Sequence, residues 1–217
     1  MHLRLLVLLA LPFPGLAHAA EAPAPFAVWR LDNLETIAGH AVTVIGTPLP
    51  TEGHGTTFNG TTDGMVLETN PLAGTAAFTI EICFRPAASG REEQRFFHVE
   101  DVGRSRALLE TRLLPDGRWT LDTFLRTPTA HLTLLDRSKA HPSERWTWVA
   151  LTYADGKMRH FVNGVPELEG DVIFAPMTRG RTSLGVRQNL VSWFKGGIRE
   201  VRFHHTALAA TDLQRVE

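Results

Sequence analysis

Side chains that can recognise a sugar are concentrated near the C-terminal end of the chain. Arg187, Gln188 and Asn189 follow one another, and Trp193 comes shortly afterwards. Amide and guanidinium groups form paired hydrogen bonds with hydroxyl groups, and an indole plate packs against the apolar face of a sugar ring. The pattern therefore favours a sugar-binding loop. The alternative is that Trp193 packs beneath its own loop while the polar groups face solvent.

No local pattern in the sequence is typical of an enzyme. A glycoside hydrolase needs two carboxylates across the scissile bond, and alternating acidic residues on one strand would supply them. The adjacent pairs Glu92-Glu93 and Glu100-Asp101 do not alternate, and Glu81 is alone on its strand. The sequence also lacks the Gly-x-Ser-x-Gly elbow of serine hydrolases. We therefore predict no catalytic residue.

A glycan-cleaving enzyme, either a glycoside hydrolase or a polysaccharide lyase, is the competing hypothesis. Its acidic pair would have to come from separate strands, with Glu81 opposite Glu110 or Asp122. Two carboxylates within about 10 Å of each other in an open groove would favour this hypothesis. A third alternative is a purely structural role at the cell surface, with flat polar sheet faces and no groove.

Composition and charge exclude several classes of protein. The 217 residues include 43% hydrophobic and 21% charged side chains, which is typical of a globular protein rather than a disordered or fibrous one. Lys and Arg number 22 against 23 Asp and Glu, so we expect no nucleic-acid partner. The single cysteine, Cys83, excludes an intramolecular disulfide, and we expect it to be buried as a small hydrophobe.

The first nineteen residues have the layout of a secretory signal peptide. Arg4 precedes an apolar run, and Ala17-His18-Ala19 provides small residues at the cleavage positions. The run is shorter than the roughly 20 residues of a membrane-spanning helix. We therefore predict a signal peptide over residues 1–19 with cleavage after Ala19, a single domain over residues 20–217, secreted or periplasmic localisation and no membrane span.

Alternating hydrophobicity and turn signals predict an antiparallel all-β fold. Asp116-Gly117, Asp155-Gly156 and Asn163-Gly164 favour tight hairpin turns. We expect a bulge near Arg199–Glu200, because the apolar spacing changes there, and we place Trp146 and Trp148 in the core. A short helix is predicted over residues 207–216. The predicted strands cover residues 26–31, 42–45, 64–68, 77–85, 95–100, 107–113, 118–125, 131–135, 146–153, 159–163, 182–187 and 198–204.

Several segments resemble the laminin G-like, concanavalin A-like jelly-roll family in family order, from Trp29 to Val216. They are TTFNGTTDGMVLE, FTIEICFRP, RWTWVALTYADGKMRHFVNGV, SLGVRQN and FKGGIREVRFHHTALAATDL. The resemblance implies a two-sheet antiparallel sandwich of the concanavalin A type, with the short C-terminal helix closing one edge. This fold carries lectins, hydrolases, lyases and non-catalytic modules, so the resemblance does not by itself assign an activity.

The resemblance also implies two calcium sites, and the residues here do not match either of them. Asn59 and Arg199 stand where the structural site has two aspartates. At the second site, Arg187 and Asn189 replace carboxylates, and Asp101 lies close in sequence to Arg104. Calcium takes 6–8 oxygen ligands, mostly anionic. We therefore expect no metal and no other cofactor.

These observations predict a secreted, non-catalytic module that binds a glycan or an extracellular protein without calcium. Arg104 and Arg106 add positive charge, which favours an acidic glycan or a protein carboxylate. The predicted ligand-binding residues are Arg187, Gln188, Asn189, Trp193, Asp101 and Arg104.

Overall fold

The structure, a computed structural model, describes residues 22–216 and is a sandwich of two antiparallel sheets. The predicted signal peptide lies outside these residues. What we call the front sheet has the strand order β11 (His131–Leu135), β10 (Trp119–Arg126), β9 (Arg106–Leu113), β8 (Glu93–Asp101), β15 (Gly180–Leu184), β6 (Gly64–Leu67), β3 (His40–Ile45) and β2 (Thr36–Ile37).

The other layer, the back sheet, has the strand order β14 (Val165–Asp171), β13 (Lys157–Val162), β12 (Thr147–Ala154), β7 (Phe78–Pro86), β16 (Lys195–His204), β5 (Gly55–Asn59) and β4 (Leu49–Thr51), with β1 (Ala27–Arg30) also pairing with β16. The all-β sandwich predicted from the sequence is confirmed, as are the β9–β10, β12–β13 and β13–β14 hairpins.

The core lies between the two sheets, because alternate residues of each strand point inward. Phe84 of β7 lies at its aromatic centre. Its ring stacks on Phe96 at 4.3 Å and meets the edge of Trp119 at 5.0 Å, with Phe194 at 6.0 Å. All four side chains are fully buried. These contacts join the two sheets and thereby hold the outer face of the front sheet in place.

The predicted bulge is confirmed in β16. The register shifts between Ile198 and Glu200, and Ile198 points into the core. Cys83 is buried, as expected, and burial raises the pKa of its thiol to about 11. The placement of Trp146 and Trp148 in the core is wrong. Both rings are only half-buried, because the pairing of β12 with β7 aligns Trp148 with Cys83, on the outer face of the back sheet.

The C-terminal helix is much shorter than predicted and consists of a single 3-10 turn, Ala210–Asp212. Side chains of the back sheet accept hydrogen bonds from backbone N–H groups on either side of this turn. Leu208 donates to Oγ1 of Thr79 at 2.9 Å, and Gln214 donates to Oε1 of Glu81 at 2.6 Å. These bonds replace helical ones and hold the segment extended against the sheet.

Replacing Phe84 with alanine should lower the free energy of unfolding by about 3–5 kcal/mol, because it leaves a cavity between the sheets. Phe26→Ala is the matched control, since Phe26 is 63% exposed, and it should cost less than about 1 kcal/mol. Urea unfolding of both variants measures the difference. Equal losses would contradict the assignment of Phe84 to the core.

Candidate functional site

The outer face of the front sheet carries a depression of about 210 Å³. Alternation along β8, β9 and β10 turns one set of residues, such as Leu109 and Leu121, into the core and the intervening set outward. The outward set is rich in arginine and includes two acids and an aromatic ring. The lining residues are Arg95, Arg106, Leu108, Glu110, Arg112, Asp122, Phe124, Thr133 and Arg187.

Two acidic side chains lie next to each other at the floor of this depression. Glu110 and Asp122 are directly paired across β9 and β10, and they are only 2% and 1% exposed. Arg112 lies between them, with its Nη2 atom 3.4 Å from Oε2 of Glu110 and also in contact with Oδ2 of Asp122. Arg95 approaches Glu110 from the other side, with Nε 2.8 Å from Oε1.

Burial makes these acids weaker than usual. It raises the pKa of Glu110 to about 7, against the opposing attraction of Arg95 and with a further upward contribution from the Asp122 carboxylate. Burial also raises the pKa of Asp122, although the Arg112 guanidinium opposes this shift. Glu110 is therefore readily protonated near neutral pH. Four arginines line the depression against two acids. Outside the lining, Glu93 contacts Arg95 and Arg112, and Glu100 contacts Arg106.

Arg106 and Arg187 are the arginines whose charges the acids of the floor neutralise least. The guanidinium carbon of Arg106 lies over the Phe124 ring, 5.4 Å from its centre, and its one ion pair with a residue that the structure describes is a 3.5 Å contact with Glu100. Nε of Arg106 is buried without a hydrogen-bond partner among residues 22–216. Within the same range, Arg187 forms no ion pair.

A second depression, of about 590 Å³, contains three of the six ligand-binding residues predicted from the sequence. Asp101, Arg104 and Gln188 line it, together with Glu68, Glu100, Val102, Arg179, Gly180 and Arg181. Arg187 lines the smaller depression instead, and Asn189 and Trp193 line neither. Asn189 is exposed and Trp193 is half-buried. The structure therefore divides the predicted set between two neighbouring surfaces.

Two of the predicted residues already hold parts of the protein together. The carboxylate of Asp101 accepts the backbone N–H groups of Ser105 at 2.9 Å and Thr178 at 3.0 Å. The side-chain amide of Gln188 donates to the carbonyl oxygen of Arg181 at 2.8 Å, and its oxygen accepts from Nε of the same residue at 3.0 Å. Arg104, in contrast, is exposed, and within the described residues its side chain forms one ion pair, with Glu100 at 3.7 Å.

The loop of residues 187–193 places Arg187 beside the front depression. Leu190 and Ser192 have positive φ angles of 60° and 56°, a conformation that is costly for residues other than glycine. The carbonyl oxygen of Ser192 accepts the backbone N–H of Arg95 at 2.9 Å, which fixes the loop on the first residues of β8. Such strain is often found where a loop contributes to a binding surface.

Sequence reasoning missed Arg95, Arg112 and Phe124 as site residues. The signal that could have found them is the alternation of charged and apolar residues in β9 and β10. In these strands Glu110-x-Arg112 and Asp122-x-Phe124 put their side chains on one outer face. The third candidate acid, Glu81, belongs elsewhere, since it bonds to Nε2 of His204 at 3.1 Å on the back sheet.

At the place where the resemblance implied a structural calcium site, side-chain oxygens accept hydrogen bonds from the backbone. Oδ1 of Asn59 accepts the backbone N–H groups of Thr61 and Thr62, and Asp63 accepts those of Thr47 and Asn59. Residues 22–216 contain no group of three or more His, Cys, Asp or Glu side chains that could hold a metal ion. In the same residues, no helix has the length and apolar character needed to cross a membrane.

Comparison with known proteins identifies relatives with the same fold. The family profile described as the concanavalin A-like lectin/glucanases superfamily matches residues 59–214. Domain 4 of an extracellular GH43 arabinanase from Geobacillus stearothermophilus, in complex with arabinotriose, is similar with a TM-score of 0.65 and 20% identity, over 88% of this chain and 97% of that domain. No curated protein matches the chain in sequence.

Two further structures are similar at lower identity. The binding domain of botulinum neurotoxin serotype D has a TM-score of 0.62 and 13% identity over 87% of this chain and 50% of the toxin domain, so this chain spans half its length. The CBM40 of the Ruminococcus gnavus IT-sialidase, bound to α2,3-sialyllactose, has a TM-score of 0.52 and 18% identity over 64% of this chain and 80% of that one. At these identities the likeness concerns the fold.

Glu110→Gln should become more stable relative to the wild type as the pH rises from 4.5 to 7. A carboxyl group with a raised pKa binds more protons in the folded than in the unfolded state across this window, so its contribution to stability is lost as the pH rises. Over the whole titration, the difference in unfolding free energy between the variant and the wild type should grow by about 1.4 kcal/mol for each unit by which the pKa of Glu110 is higher in the folded than in the unfolded state. Urea unfolding at several pH values measures it.

Subtracting the wild-type value cancels the contributions that other titrating groups make to the pH dependence of stability. Burial lowers the pKa of His160 to about 4, which changes stability in the opposite direction, but His160 is present in both proteins. A difference between the two proteins that stays constant from pH 4.5 to 7 would contradict the assigned state of Glu110.

Proposed function

The chain belongs to the concanavalin A-like lectin/glucanase superfamily, and from the chemistry of its front sheet we propose that it is a secreted, non-catalytic module that binds an acidic glycan without calcium. The observation that carries the proposal is the front depression. Its lining arginines outnumber its lining acids. Among residues 22–216, Nε of Arg106 has no hydrogen-bond partner and Arg187 has no ion-pair partner.

The front depression suits a carboxylated sugar in both charge and shape. A guanidinium group forms two parallel hydrogen bonds with a carboxylate, which gives direction as well as charge attraction. Arg106 lies over the ring of Phe124, which restricts its side chain, so less side-chain entropy is lost when it binds. The exposed part of the Phe124 ring offers an apolar surface beside these donors. A neutral sugar carries no charge that could neutralise these arginines.

The relatives support glycan binding in general terms. One was solved with arabinotriose and another with α2,3-sialyllactose, whose sialic acid carries a carboxylate. Secretion or export to the periplasm rests on the signal peptide expected over residues 1–19. The partner is then a glycan outside the cytoplasm or an extracellular protein that presents carboxylates.

One observation favours the alternative function, glycan cleavage. Glu110 and Asp122 face each other in an open depression, and the pKa of Glu110 lies near 7, as a general acid requires. Against it, a guanidinium nitrogen of Arg112 lies between the two carboxylates, where a glycosidic oxygen would have to enter. Both acids are also almost fully buried, whereas a catalytic carboxylate must touch its substrate.

Binding of 3′-sialyllactose and of oligogalacturonate should be at least about tenfold tighter than binding of lactose or arabinotriose, because only the first two bring a carboxylate to Arg106 and Arg187. Isothermal titration calorimetry measures the four ligands. The double variant R106Q/R187Q should lose the preference. The same samples also test glycan cleavage. The oligogalacturonate, and an arabinan added for this purpose, are assayed for new reducing ends.

A matched control uses exposed arginines that do not line the front depression. R91Q/R137Q removes the same charge from two exposed positions and should leave binding unchanged. Equal affinities for charged and neutral sugars, or an R106Q/R187Q variant that binds as the wild type does, would contradict the proposal. Release of reducing ends would replace binding by cleavage as the function.

Calcium should have no part in this binding. Asn59, Arg187 and Asn189 stand where the resemblance to the laminin G-like family implies carboxylate ligands, and an amide or a guanidinium cannot replace them as anionic ligands. Calorimetric titration with calcium should show no binding below the millimolar range, and EDTA should leave sialyllactose affinity unchanged. Sub-millimolar calcium binding, or loss of sugar binding in EDTA, would show that the module depends on the metal.

A further inference from the structure

The outer face of the back sheet is covered in two different ways. Over one half, the C-terminal segment packs Leu208 and Leu213 against Ala150 and Phe161. Over the other half lies a row of stacked side chains that we call the Arg–Trp ladder. It consists of Arg85, Trp146, Arg199, Trp148 and Arg202.

The Arg–Trp ladder is ordered by cation–π contacts. The guanidinium carbon of Arg199 lies 4.2 Å from the ring centre of Trp146, and that of Arg85 lies 5.5 Å from it. Arg202 lies 5.0 Å from the ring of Trp148. Trp146 and Trp148 are two residues apart in extended backbone, so the two sets of cation–π contacts are about 7 Å apart.

The bulge and a glycine of β16 create this arrangement. The extra residue at the bulge lets Arg199 share the outer face with Glu200 and Arg202, whose neighbours on β7 are the outward Cys83 and Glu81. The indole of Trp146 lies over Gly197, where a Cβ atom would come within 2.9 Å of the ring. Bulges commonly re-aim a side chain at a functional surface.

The charges of the ladder are only partly neutralised inside the protein. Glu200 contacts Arg202 and also Arg30, at 3.6 Å. Arg85 and Arg199 have no ion-pair partner in the part of the chain that the structure describes, and Nε of Arg199 is buried there without a hydrogen-bond partner. Two guanidinium groups on the same indole are therefore left to attract an anion.

We propose that the Arg–Trp ladder is a second binding surface, which takes a linear sulfated polysaccharide. A guanidinium stacked flat on an indole keeps its in-plane N–H donors free, so it can fork to an oxyanion while the ring holds it in place. Exposed ion pairs are individually weak, and useful affinity requires several of them at once. A chain with closely spaced, permanently ionised sulfates meets that requirement along a row of arginines.

An anionic membrane is a less suitable partner for the same charges. Peripheral membrane binding combines basic residues with apolar side chains that enter the interface. The strongly exposed apolar side chains within residues 22–216 are Phe26, Val44, Leu49, Val102, Val165, Ile173, Leu190, Val191 and Val216. None of them lies on β7, β12 or β16, which carry the ladder together with Trp146 just before β12.

The test measures heparin binding by calorimetry at several salt concentrations. R85Q/R199Q should weaken heparin binding by about tenfold and should flatten its dependence on salt, because two ionic contacts are lost. R85K/R199K keeps both charges but not the planar fork, and it should also bind more weakly than the wild type. R91Q/R137Q, the control of equal charge, should bind as the wild type does. Near-ultraviolet circular dichroism checks that each variant is folded.

Three outcomes would overturn the proposal. They are wild-type affinity of R85Q/R199Q for heparin, equal binding by R85K/R199K and the wild type, and tighter association with phosphatidylserine vesicles than with heparin. The result is separate from that for the front depression. R85Q/R199Q should bind 3′-sialyllactose as the wild type does, so either site can fail while the other stands.

Discussion

Two carboxylates that are buried side by side must be compensated by a cation or by a proton, and the front sheet uses both: Arg112 contacts the pair, and Glu110 has a raised pKa. Glu110 and Asp122 come from neighbouring strands whose other faces form the core, so neither side chain can turn away from the other. Arg112 and Arg95 compensate the pair incompletely, as the raised pKa of Glu110 shows. The arginines in excess of this pair are the basis of the anion binding that we propose for this surface.

The same construction explains why both outer faces of the sandwich carry arginine on aromatic rings. Inward positions of both sheets are taken by the core around Phe84, so polar and charged residues occupy the outward positions. Aromatic side chains on those faces shield the sheet and at the same time hold guanidinium groups over their rings, as Phe124 holds Arg106 and Trp146 holds Arg199. Rigid cationic surfaces thus follow from the way the sheets are covered.

The sequence predicts the architecture well because strands and hairpins depend on local patterns. The bulge near Arg199 is visible in the apolar spacing, whereas the extended C-terminal segment is not, because its hydrogen bonds go to Thr79 and Glu81, far away in the chain. Tertiary context also decides which face of β12 is inward, and thereby places Trp146 outside. The front depression combines side chains of four strands and a loop, and only the registers of those strands show that Glu110 faces Asp122.

The most direct test of the central claim is an NMR titration with 3′-sialyllactose that observes the arginine Nε–Hε signals. The account predicts that the signals of Arg106 and Arg187 move and saturate together, while those of Arg85 and Arg199 on the back sheet stay in place. Movement confined to Arg104, or no movement of Arg106 and Arg187 at saturating ligand, would contradict it.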